Sequence, residues 1–149
     1  DAISRGVRLR RATCVARRST PDPLAGCETL MTVTREDRAW TLKGLRTAVE
    51  RLAADSAVQV KWLEETGAHP DELGLELDQF LPPAKQTLLE EFSPETMSKL
   101  LELDAAILQF SGPDNVFLWS PHAIQTAPAW QDVRVLARQA LGAGRWPDA

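Results

Sequence analysis

The stretch Thr34–Gly67, TREDRAWTLKGLRTAVERLAADSAVQVKWLEETG, carries one apolar seam: Leu42, Leu45, Val49, Leu52, Ser56, Val60 and Leu63 recur at steps of three or four residues. That step repeats a single face of an α-helix, and only the small side chain of Ser56 interrupts it. Thr34 with Asp37 three residues on has the form of an N-terminal cap, and Glu36 adds negative charge where the helix dipole favours it. Gly67 supplies a left-handed stop, with Pro70 beyond it. The spacing therefore predicts one long helix over about 34–66, with Ala53–Ser56 as the place for any break. At 1.5 Å per residue, roughly thirty residues would span about 45–50 Å. A helix of that length either bends around the core or reaches a second copy, as in a homodimer.

Working outward, a second helix is expected from Pro70, with Asp71 and Glu72 in its first turn and Leu73, Leu77, Phe80 and Leu81 on its buried face. Pro82-Pro83 should end it, leaving a short helix over residues 84–92. Ser93-Pro94-Glu95 then reads as a cap, a first-turn proline and an acid at the positive end of the dipole. The helix it starts would bury Met97, Leu100, Leu101, Ile107 and Leu108 and close at Gly112-Pro113. Val116-Phe117-Leu118-Trp119 is too short for periodicity to classify and is expected as a short strand or an irregular segment near 115–120. A last helix over about 128–141 follows, and residues 144–149 should fray. The fold class is all-α: a single domain of five or six helices organised on the 34–66 helix.

The chain has 149 residues, 44% hydrophobic and 26% charged, enough for one core and short of any membrane-spanning run. Its net charge of −4 is unevenly spread. Residues 1–30 hold six arginines against Asp1, Asp22 and Glu28, whereas residues 62–104 hold eleven acids against Lys85 and Lys99. An acidic middle argues against general nucleic-acid affinity and for a basic partner. The basic 1–30 segment is expected to be a disordered or non-native tail. It reads as residues upstream of a start at Met31, as an Arg-rich targeting segment, or as a basic arm; the domain proper would be 31–149. Cys14 and Cys27 are expected as free thiols, which suits a cytoplasmic location. The richness in Ala, Arg and Leu is typical of high-GC coding and points to a bacterial source.

The chemistry-bearing motifs are sparse. No Gly-x-x-x-x-Gly-Lys, Gly-x-Gly-x-x-Gly or Gly-x-Ser-x-Gly occurs, so neither a phosphate loop nor a nucleophile elbow is expected. No Glu-x-x-His and no calcium loop is present, and neither a metal nor a cofactor is expected. Residues 63–73 place a glycine turn between two helices in the manner of a helix-turn-helix, but the second helix would aim Asp71, Glu72, Glu76 and Asp78 at phosphates. The carboxylates read better as a protein-binding surface. Trp62, Glu64, Glu65, Asp71, Glu72, Glu76 and Asp78 are the candidate contacts, because tryptophan beside charge is common at binding hot spots. No catalytic residue is assigned. The leading expectation is a non-enzymatic interaction or regulatory protein, inhibitor- or immunity-like, whose acidic helical surface meets a basic protein. The alternatives are a small-molecule sensor or enzyme with a pocket near Phe117–His122, lined by Trp119, His122 and Trp130, and a DNA-associated regulator.

Overall fold

The structure is a computed structural model and describes residues 33–148. The expectations for the 1–30 segment and for both cysteines lie outside the described residues. The described part is all-α: α1 (Arg35–Ala53), α2 (Ser56–Thr66), α3 (Glu72–Thr87), α4 (Pro94–Gln109), α5 (Pro121–Thr126) and α6 (Pro128–Gly142), with 3-10 turns at Leu89–Glu91 and Pro113–Leu118. No described helix is long and apolar enough to cross a membrane. Helix α1 packs on α3, α3 on α4, α4 on α6 and α6 back on α1, a closed ring of four, while α2 packs on α5. Leu42, Leu45, Val49 and Leu52 of the seam are all buried in it, beside Leu77, Leu100, Trp130 and Val133.

The caps read from sequence are present. The Thr34 hydroxyl accepts from the Asp37 backbone N–H at 3.0 Å while the Asp37 carboxylate accepts from the Thr34 N–H at 3.2 Å, a reciprocal capping box. Ser93 accepts from the Thr96 N–H at 3.2 Å and starts α4 with Pro94 in its first turn. Gly67 ends α2 at φ +66°, where a Cβ would be strained.

The single 34–66 helix is not found. The chain breaks at Ala54 and Asp55, both extended (ψ 155° and 149°), and α2 restarts at Ser56. What holds the break comes from elsewhere in the chain. The Gln59 side-chain amide donates to the carbonyls of Arg51 and Leu52, each at 3.1 Å, and Arg138 of α6 donates to the Ala53 carbonyl at 2.9 Å and to Asp55 at 2.8 Å. These donors take up carbonyls that a continuing helix would have used. Gln59 is fully buried, and its oxygen accepts from Arg134 at 3.0 Å, which also donates to the Ile124 carbonyl at 3.0 Å. Burial holds the Arg134 guanidinium below its ordinary pKa, and the nearby Arg138 charge adds to that.

Two further expectations are corrected and one is narrowed. Helix α3 does not stop at Pro82-Pro83 but runs through both to Thr87. Leu81, Ala84 and Leu88 on either side are buried, and that packing outweighs the lost backbone bonds, whose acceptors sit on the exposed residues Asp78 and Gln79. The 115–120 segment is no strand: Pro113–Leu118 is a 3-10 turn interrupted at Asn115, in keeping with an irregular segment, with Val116 and Phe117 exposed. Residues 144–148 are tied down rather than frayed. Trp146 meets Phe92 edge-on at 5.5 Å and donates to the Ala140 carbonyl at 3.0 Å, Ser93 N–H donates to the Arg145 carbonyl at 3.2 Å, and Arg38 donates to the Asp148 carbonyl at 2.7 Å.

Candidate binding groove

A groove of about 380 Å³ opens between α3 and α4 and is closed on one side by the 3-10 turn. From α3 and its N-cap come Asp71, Gly74, Leu75 and Asp78, spaced so that they share one face. From α4 come Asp104, Ile107 and Leu108, and Ser111 follows just beyond its end. The turn contributes Val116 and Trp119, and His69 stands at one end. Leu75, Leu108 and Val116 are 51%, 62% and 67% exposed, so the apolar floor faces solvent instead of the core.

Trp119 is the fixed wall. Its ring packs within 5.2–5.3 Å of Phe110 and Trp130, and its indole N–H donates to the Phe110 carbonyl at 3.0 Å. Gly74 makes the seat: a Cβ there would lie 3.0 Å from the Trp119 ring and 3.3 Å from Ile107. A larger residue at this point of α3 would push the ring off its place.

The rim is acidic. Asp71 pairs with the His69 imidazole at 2.7 Å. Asp78 and Asp104 form no ion pair among the described residues. Burial raises the Asp104 carboxyl above its ordinary pKa; the charge of Lys85 opposes this and that of Asp78 adds to it. Ser111, His69 and Asp71 share one end, but the Ser111 hydroxyl donates to the Ile107 carbonyl at 2.8 Å and no hydrogen bond joins it to the imidazole. Among the groove residues no nucleophile is held against a base. Among the described residues no three His, Cys, Asp or Glu side chains gather into a metal-holding set.

The residues singled out from sequence divide accordingly. Asp71 and Asp78 lie on the groove, and so does Trp119. Trp130 is fully buried behind Trp119 and donates to the Leu118 carbonyl at 2.7 Å; it supports the wall without reaching the surface. His122 is exposed on α5 and is not among the groove's walls. Trp62 and Glu76 are occupied internally: the Arg51 guanidinium sits 4.0 Å from the Trp62 ring and pairs with Glu76. Glu64 and Glu72 are exposed beyond the groove, and Glu65 lies 3.6 Å from Lys61 on the outer face of α2. Sequence reasoning missed Leu75, Leu108 and Asp104 as site residues. The available signal was Gly74, a lone glycine inside a helical pattern, which marks close approach. Comparison of the chain with protein-family models, curated proteins and solved structures finds no match, so the groove is read on its own geometry.

Proposed function

We propose that this protein is a non-catalytic interaction module that docks a basic protein partner on its α3–α4 face. One observation carries the reading: an apolar floor open to solvent and bounded by Asp71, Asp78 and Asp104. Exposed apolar surface rimmed by polar groups marks interaction sites, and here the rim has one sign. Glu64, Glu65 and Glu72 stand outside the groove, where they act through the field, speeding encounter more than tightening the complex. An inhibitor or immunity-like role against a basic enzyme fits this arrangement. A second reading is a small apolar cation, because the groove's about 380 Å³ falls within the usual size of small-molecule pockets.

Affinity capture on immobilised protein tests the first reading. The expected result is a basic protein retained at low salt, released near roughly 0.5 M salt where screening is strong, and lost from the Glu72→Lys, Asp78→Lys double variant. Capture that ignores both salt and charge reversal, or no capture at all, would reject it.

A further inference from the structure

The next step rests on the interaction reading and specifies what the partner presents. We propose that the groove takes one amphipathic α-helix with Lys or Arg at positions i and i+7 and bulky apolar side chains at i+3 and i+4 between them.

The groove's layout sets this pattern. Its two walls run antiparallel: Gly74 faces Ile107, and Asp78 acts on Asp104 across the groove. One end therefore holds Asp78 with Asp104, the other Asp71 with His69, and the apolar stretch of Leu75, Leu108 and Trp119 lies between them. Asp71 and Asp78 are seven residues apart on one helix, about 10 Å along its axis. A helix lying along the groove presents its own i and i+7 side chains at that same separation and its i+3 and i+4 side chains midway. An extended peptide would add to a sheet edge, and the described residues contain no strand to receive one.

The two ends differ. Asp71 already has a partner in His69, whereas Asp78 and Asp104 have none among the described residues and repel each other. Two carboxylates suit a planar group with five donors, so arginine belongs at the Asp78 end and lysine suffices at the Asp71 end. The Trp119 wall, held by Gly74 and Phe110, is in place before the ligand arrives.

The test uses the full chain and a fluorescein-labelled Ala/Gln-based peptide of about eighteen residues, long enough to form helix, read by anisotropy at low salt. One peptide carries the stated pattern; a second has the same composition with its apolar pair moved to the opposite face. The patterned peptide should bind at least about tenfold more tightly than the second. Asp78→Asn should weaken it about threefold to tenfold and flatten its salt dependence, and Leu108→Ala about fivefold. Both residues are exposed, so these variants should fold; unchanged circular dichroism and melting would verify it. Equal binding of the two peptides, or indifference to both variants, overturns the helix pattern while a salt-sensitive captured partner keeps the interaction reading. Failure of the patterned peptide to bind while such a partner is captured also overturns the pattern. Absence of both overturns the two together.

Discussion

The break between α1 and α2 and the groove between α3 and α4 both interrupt the regular packing of helices, and they resolve it in opposite ways. At the break three interrupted carbonyls find side-chain donors inside the chain: Gln59 serves Arg51 and Leu52, and Arg138 serves Ala53. Even the buried guanidinium of Arg134 is hydrogen-bonded, and no buried side-chain polar atom among the described residues lacks a partner. At the groove, apolar side chains stand in solvent and Asp78 and Asp104 form no ion pair among the described residues. The first region is satisfied within the chain; the second, on the reading proposed above, is completed by a partner. Buried polar groups are costly unless satisfied, so removing a donor at the break should cost more stability than removing an exposed side chain at the groove.

The largest effect should come from breaking the satisfied side. Arg134→Ala leaves the Gln59 oxygen and the Ile124 carbonyl buried without a donor, and a loss of about 2–4 kcal/mol is expected in urea unfolding. Pro82→Ala should go the other way, restoring a donor to the Asp78 carbonyl and raising stability by about 1–3 kcal/mol. Gly74→Ala sets two effects against each other. Helix propensity gains about 1 kcal/mol, but contact with Trp119 at 3.0 Å costs about 1–2 kcal/mol if the ring is held. A net loss of stability with altered Trp119 emission would show that the wall is rigid.

The smallest effects are in the pH dependence, and they carry opposite signs. Asp104 binds its proton more tightly folded than unfolded, so its contribution to stability falls as pH rises from its unfolded value through its raised folded one. Asp104→Asn should therefore stabilise the protein at neutral pH, by less than about 1 kcal/mol, and have no effect below the carboxylate range. Glu91 is the reverse. Its hydrogen bond from Arg38 lowers its pKa, so its contribution is present above the ordinary carboxylate value and is lost as pH falls through the lowered one. Glu91→Gln should flatten the acid limb of the melting profile while Asp104→Asn should not.

How much of this was legible follows from how far each cause lies along the chain. The caps at Thr34 and Ser93 and the stop at Gly67 were readable because all of their partners lie within three residues or in the backbone itself. The place of the break was readable at Ala53–Ser56, but what holds it was not, because Arg138 reaches it from 83 to 85 positions away. The two prolines of α3 read as a stop because local preference says so; burial of Leu81 and Ala84 decided otherwise. For the groove, Asp71 and Asp78 were visible as acids on a helix. Trp119 was visible as a pocket candidate, but its place on the same groove as these acids, and that of Asp104 opposite Asp78, required the α3–α4 pairing that no spacing rule supplies. Leu108 looked like a core residue because its period fits one, and only the position of α3 leaves it in solvent.

The ring of four has a consequence for how the chain is made. Helices α1 and α4 each present a buried face to α6, which follows them in sequence, and Arg38 is joined to the Asp148 carbonyl 110 positions later. While the chain leaves the ribosome, α1, α3 and α4 can meet, but two of the three carry uncovered leucines until α6 emerges. Synthesis slowed between α4 and α6 should thus raise the demand for chaperones more than the same pause placed before α3.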